Sequence, residues 1–402
     1  MFLIFFEGNK TNSSLGSILG YTQKVSVRNK SLDKIVIIGA GIVGSAIAFE
    51  LSQDPQFNIT LIDKKAPASG SSGAALGLLM GVMSQKIKGR AWRLRENSLT
   101  RYKTLLPELK QLTGLEIPYN RHGIVKLLLA GDDLEKWRKL AEKRAEQGYR
   151  LKVWNRSQLQ SFCPEVQGEE IIGAVSSPDD LQINPTPLVE ALVEGAKIKG
   201  VKCIFGQKVD NFKISSSNED NKRVCESLQV RGASLDADLV IVCGGLGSTP
   251  LTEELGKTVK IKPVLGQAMV MSYDGWQKLP DFNPVITGDD VHIVPLNDNR
   301  FWVGATLEFA HEDGQVMEDK QLLTNLHQRA IAFCPALKSA SIISQWSGKR
   351  PRPEGRPAPI IEWLEGYDNV ILATAHYRNG ILLAPATAME VKELIMERAK
   401  QT

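Results

Sequence analysis

The chain has 402 residues, 43% hydrophobic and 23% charged, with a formal net charge of +4. That length is enough for two or three domains with ample core, and the composition is globular. The charge is too small to argue for a nucleic-acid partner, no apolar run reaches the ~18 residues of a membrane span, and the five scattered histidines make no metal-ligand cluster.

Cys163, Cys203, Cys225, Cys243 and Cys334 show no C-x-x-C spacing. They fit incidental thiols in a reducing, cytoplasmic setting. Residues 1–33 read as a disordered or mis-assigned extension. Residues 1–6 are apolar but too short for a signal segment and lack a positive flank, and 9–31 is polar and rich in Ser and Asn.

The fold is expected to begin at Lys34. Residues 35–38 are β-branched and apolar, as in a parallel strand covered on both faces. Gly39, Gly41 and Gly44 then form G-x-G-x-x-G at the mouth of a predicted helix. The first glycine allows the tight turn and the second lets a pyrophosphate approach. The third lets helix and strand pack closely, with the phosphates on the helix N-terminus. A second strand, 59–63, ends in Asp63, 19 residues after Gly44. A carboxylate there accepts from an adenosine ribose. The motif predicts a bound dinucleotide but does not choose between NAD and FAD.

Residues 64–81 form a loop of small residues, in which Ser71 and Ser72 can donate to phosphate. A long helix is predicted over 90–110, with Trp92, Leu94, Leu99, Tyr102, Leu105 and Leu106 at helical spacing. A strand over 123–129 precedes a charged helix over 132–148, whose basic residues read as a solvated face. Strand 171–175, helix 187–199, strand 201–205 and a hairpin of 209–214 with 225–230 follow. Residues 238–247 repeat the strand-to-glycine pattern, which brings Gly244 near the ligand. Three strand-like runs, 264–271, 291–296 and 301–304, lead to a helix over 319–333. The chain closes with strand 369–373, a turn over 376–380 and a helix over 385–398. The predicted fold is α/β. A discontinuous Rossmann-like domain comes from 34–120, 180–256 and 346–400, and a second α+β domain on an antiparallel sheet from 121–179 and 257–345.

Gly39-Ala-Gly-Ile-Val-Gly44, Asp63, Ser72-Gly-Ala-Ala-Leu-Gly77, Asn184-Pro185, Val303-Gly-Ala-Thr306, Arg350-Pro351 and His376-Tyr-Arg-Asn-Gly-Ile-Leu-Leu-Ala-Pro-Ala-Thr387 occur in this order. With these residues the chain resembles the D-amino-acid-oxidase superfamily of flavoproteins, and within it glycine oxidases of the thiamine-pathway type. The resemblance implies FAD as cofactor, the first domain as FAD-binding and the second as substrate-binding. It puts Ile42 and Val43 at the pyrophosphate and Asp63 with Lys64 at the ribose. Ser71, Ser72, Leu76, Gly77 and Leu78 line the phosphates and flavin, and Val209 meets the adenine. His376, Tyr377, Arg378, Asn379, Gly380, Ile381 and Leu382 wrap the isoalloxazine, where backbone N–H groups favour reduction.

The implied reaction is oxidation of glycine, sarcosine or a small D-amino acid, by hydride transfer to flavin and hydrolysis to the 2-oxo acid. Oxygen is the expected acceptor, giving peroxide, and a homo-oligomer is implied. Arg350 and Arg378 match the two substrate-side positions. Arg350 suits the carboxylate, because a guanidinium fork pairs both oxygens and keeps its charge when desolvated. His292 stands where these oxidases carry a tyrosine, and Leu307 where they carry a methionine. The first change replaces a phenol donor with a group that ordinarily titrates near neutrality. Three other readings compete: a D-amino-acid dehydrogenase-like enzyme delivering electrons to a quinone, a tRNA-modification oxidoreductase, and a non-catalytic flavin-binding protein.

Overall fold

The computed structural model describes residues 33–216, 222–276, 281–310 and 315–400, so most of the expected extension at 1–33 lies outside the described residues. The first sheet has six strands in the order Ile360–Trp363, Val370–Thr374, Leu239–Val242, Lys34–Ile38, Asn58–Asp63 and Lys202–Phe205. All neighbours are parallel except the first pair. Ile37 sits level with Leu61 on one side and Ile241 on the other, and all three are fully buried. That two-sided burial explains the unbroken apolar runs.

Helix Ile42–Leu51 packs against this sheet from Gly41 onward. A Cβ on Gly44 would stand 1.9 Å from the Gly39 carbonyl oxygen. Only glycine lets the first helical turn lie that close to its strand.

The second sheet runs Glu308–Phe309, Ile261–Ser272, Arg300–Gly304, Val291–Pro295, Val285–Gly288, Ile124–Leu129, Ile171–Ser177 and Lys152–Asn155, with Ser341–Pro353 also paired to Ile261–Ser272. It departs from the expected antiparallel pattern at one place, where Val285–Gly288 pairs parallel with Ile124–Leu129. These strands are far apart in the chain, so no hairpin forces them antiparallel. The expected boundary at 346 falls inside Ser341–Pro353. This strand pairs with Ile261–Ser272 from Ser341 through Pro353, with one bulge at Ile343, so 346–353 belong to the second sheet.

The final helix begins at Gly380, not at 385, and carries Pro385 inside it. A proline there removes one ladder donor and crowds the preceding turn. Helix Gly89–Thr113 makes up the loss. The Tyr102 hydroxyl donates to the Ile381 carbonyl at 2.5 Å, and the Ala386 N–H donates to Ser98 Oγ at 3.2 Å.

Helix Leu134–Glu146 exposes most of its charges as expected, with Arg144 the exception. Its guanidinium is buried and donates to the carbonyls of Val82 (2.8 Å), Ser84 (2.7 Å) and Lys86 (3.0 Å), over the Trp92 ring. Asp180 holds the same loop from the other side, accepting from the N–H groups of Gly81, Val82 and Met83 at 2.7–2.9 Å.

Candidate active site

The C-terminal ends of Lys34–Ile38, Leu239–Val242 and Val370–Thr374 open on one cleft of about 1150 Å³, whose far wall is the second sheet. Ligands of open α/β sheets bind at such strand ends. At one end of the cleft lie Asp63 and Lys64. Gly39, Gly41, Ile42, Val43, Ser71, Ser72, Leu76, Gly77 and Leu78 follow, then Gly244, His376, Tyr377, Arg378, Gly380 and Ile381, and the second sheet adds His292 and Arg350.

Four of the expected residues stand off this wall. Gly44 is used in helix–strand packing. Val209 is buried in the three-stranded sheet, opposite Val230. Leu382 is in the core, and Asn379 precedes the final helix. Leu307 also lies outside the lining and is 39% exposed.

Local bonds shape the nucleotide half. Asp63 accepts from the Ala40 N–H at 2.7 Å and the Lys65 N–H at 2.9 Å, which ties the ends of the first two strands together. Ser72 Oγ accepts from the Ile42 N–H at 2.9 Å and so caps the first helix, while its own proton remains available to a phosphate. Ser71 differs from expectation, because its hydroxyl donates to the Lys349 carbonyl at 2.6 Å and pins the loop to strand Ser341–Pro353. Trp346 Nε1 adds a second tie, to the Ala74 carbonyl at 3.0 Å.

At the other end, Ala375, His376 and Tyr377 alternate in φ (56°, −71°, 54°) just before the final helix. Such alternation turns successive N–H groups into one concavity that favours negative charge. The His376 side chain points into the core, with Nε2 2.8 Å from Thr387 Oγ1. Thr387 donates to the Leu383 carbonyl, so His376 Nε2 is the donor of that pair. Burial holds the His376 pKa down to about 3.

Arg350 is half-buried, and its Nη1 donates to the carbonyls of Leu265 (3.0 Å) and Thr306 (3.2 Å). A Cβ on Gly266 would stand 2.2 Å from its Nη2, so the guanidinium lies flat on a bare backbone. Burial, with Arg378 nearby, lowers its pKa from the usual value. Arg378 is more exposed and pairs with Asp290 at 3.2 Å. Asp289 and Asp290 form the two-residue turn of the hairpin Val285–Gly288/Val291–Pro295, both with positive φ (47° and 58°). Burial raises the Asp290 carboxyl, but the Arg378 cation outweighs it and holds the pKa low.

His292 corrects the expectation of a group titrating near neutrality. Burial, with Arg378 beside it, pushes its pKa down to about 3, so the imidazole is neutral across the ordinary range. Trp302 and Trp346, which line the cleft with ring centroids 5.9 Å apart, were not visible as site residues from the sequence. Their only signal is two tryptophans on separate strands, and nothing local says that the strands face one cleft.

The order along the cleft fits FAD. An acid stands at one end, a capped helix N-terminus in the middle, and a backbone N–H concavity with a second helix N-terminus beyond it. Among the described residues no His/Cys/Asp/Glu group is arranged to hold a metal, and no helix is long and apolar enough to cross a membrane.

A parallel sheet with a glycine-rich first turn, plus a second sheet closing the far wall of the cleft, defines a dinucleotide-dependent oxidoreductase. The family model described as FAD dependent oxidoreductase (DAO) matches residues 34–394, and the chain belongs to that family, with FAD as its cofactor. A bifunctional protein ThiO/ThiG of Synechocystis sp. is 31% identical over 370 residues, covering 90% of this chain and 52% of the relative. The chain thus spans about half the length of that relative. A glycine oxidase of Geobacillus kaustophilus is 27% identical over 369 residues, covering 90% of this chain and 92% of the relative. Among solved structures, glycine oxidase from Bacillus cereus superposes with a TM-score of 0.77 at 26% identity, covering 91% of this chain and 95% of the other.

Proposed function

We propose that this chain oxidises the C–N bond of a small amino acid or amine bearing a carboxylate to the 2-oxo acid, with oxygen as the acceptor. The observation that carries this reading is Arg350, held by the Leu265 and Thr306 carbonyls over Gly266, in the cleft that also receives the turn at 375–380.

When bound, FAD supplies the hydride acceptor. In this reading Asp63 and Lys64 hold the ribose, and Ile42 with Ser72 the pyrophosphate. The N–H concavity at 375–377 would hold the flavin end of the cofactor and supply donors that favour negative charge there. Arg350 binds the substrate carboxylate through its free guanidinium edge, since a planar fork fixes two oxygens at once. That orientation turns the amine-bearing carbon toward the turn at 375–380. Trp302 and Trp346 narrow the cleft. His292, on the wall of that end, is held neutral with a pKa of about 3 and is a weak base. The amine therefore enters as the neutral form and gives its extra proton to solvent.

The test is anaerobic flavin reduction with glycine, sarcosine and small D-amino acids, followed by reoxidation with oxygen or a quinone. Arg350→Ala should keep flavin but raise KM by about 10²-fold, as expected for one charged hydrogen-bonding partner. Wild-type kinetics in that variant would remove Arg350 from the role. Reoxidation only by the quinone would replace the oxidase reading with a dehydrogenase.

A further inference from the structure

His292, on the cleft wall, belongs to a polar pair that the reaction above does not use. Thr287, on strand Val285–Gly288, is only 3% exposed and is the direct cross-strand partner of His292. Its Oγ1 lies 2.7 Å from His292 Nδ1. The two-residue turn at Asp289 and Asp290 fixes this register, because a one-residue slip would send one of the two side chains to the other face.

We propose that Thr287 is a positioning residue: its hydroxyl donates to His292 Nδ1 and locks the imidazole as the Nε2–H tautomer, a neutral donor for an anionic substrate group beside Arg350. A neutral imidazole has one donor and one acceptor nitrogen, and its neighbour decides which is which. A buried hydroxyl needs an acceptor for its proton. Among the described residues the Thr287 hydroxyl has one side-chain hydrogen bond, the one to Nδ1, and no carbonyl accepts from it. The other histidine–threonine pair has the opposite polarity. There Thr387 gives its proton to the Leu383 carbonyl and accepts from His376.

Burial keeps the His292 ring neutral, and the charges around it add to this. Arg378, Lys126 and Arg350 all disfavour a second proton, and Asp290, which favours one, is engaged by Arg378. With Nδ1 occupied inside the sheet, Nε2–H is the ring's only free donor, on a residue that lines the cleft. The arrangement gives the cleft a donor whose strength does not vary with pH between about 5 and 9, two units or more above its pKa of about 3. The substrate half of this inference rests on the oxidase reading; the tautomer half does not.

The experiment is a ¹⁵N-histidine spectrum of the FAD-loaded protein at neutral pH, with the His292 signals assigned by their loss in His292→Gln. The wild type and Thr287→Ser should show a protonated Nε2 and a bare Nδ1. Thr287→Val, which keeps the side-chain shape, should show a tautomer mixture. Its KM for the reducing amino acid should rise about tenfold with kcat within about twofold, the size of one hydrogen bond to a charged group, and Thr287→Ser should restore it. A protonated Nδ1 in the wild type overturns the proposal, as does a Thr287→Val spectrum identical to the wild type. Failure of every amino acid to reduce the wild-type flavin overturns the oxidase reading alone, because the spectrum reports Thr287 without turnover.

Discussion

The Tyr102 hydroxyl donates to the Ile381 carbonyl at 2.5 Å, across the interface of two helices nearly 280 residues apart in the chain. That carbonyl is one turn before Pro385, the residue that has no N–H to give it. A side chain from another helix thus completes the ladder at the start of the final helix, where the N–H concavity of the cleft is anchored. Tyr102→Phe keeps the packing and leaves the carbonyl buried without a donor. The expected loss is about 1–3 kcal/mol, read from denaturant midpoints of the flavin-loaded protein. A change under about 0.5 kcal/mol would show that the bond contributes nothing net.

Gly266 predicts a second, different failure. Alanine there puts a methyl where Arg350 Nη2 now lies, and the guanidinium has to lift from the backbone. Gly266→Ala should bind FAD normally and raise KM by about 10–100-fold, the range for a displaced charged hydrogen-bonding partner. Loss of flavin instead of substrate affinity would place Gly266 on the cofactor side.

Acidification should be destabilising through two histidines. His292 and His376 have folded pKa values near 3, against about 6.5 for an unperturbed histidine. Between those values the unfolded chain binds more protons, so stability rises with pH and is lost as pH falls from about 6.5 toward 3. His376→Gln keeps a donor to Thr387 and removes one titration. The slope of unfolding free energy against pH should fall by about 1.4 kcal/mol per unit between pH 4 and 6. An unchanged slope in that window would exclude His376 as a source.

Asp180 carries the loop that follows the cleft-lining residues Leu76, Gly77 and Leu78. Its two oxygens accept from three backbone N–H groups, while burial lifts its pKa to about 6. Asp180→Asn turns one acceptor oxygen into a donor facing those N–H groups. A loss of about 2–4 kcal/mol is expected from the lost hydrogen-bond acceptor, with increased proteolysis at residues 81–87. Wild-type stability would mean that the loop finds other partners.

The legible parts of this protein are those where function requires a local pattern. Gly39, Gly41 and Gly44 between an apolar strand and a helix, with Asp63 closing the next strand, announce a dinucleotide because the glycines and the acid act within one βαβ unit. Strand Ser341–Pro353 left no such trace. Residues 341–345 are all exposed, so no alternation marks them, and their partners lie some 70 residues away. Arg144 read as one charge on a solvated helix because its acceptors are carbonyls of a distant loop, which composition cannot display.

The sequence by itself determined the cofactor fold and its first turn, since both rest on short-range spacing and residue chemistry; Arg350 and Arg378 were singled out by the family resemblance. Tertiary structure alone decided how those residues behave. Arg350 rides on the second sheet opposite Val264 and lies flat because Gly266, two residues further along that partner strand, has no side chain. His292 is neutral because burial and Arg378 outweigh Asp290, and the last helix starts before its proline because Tyr102 supplies the missing donor. Each of these depends on groups brought together by long-range pairing, whose free energy no local stretch of chain contains.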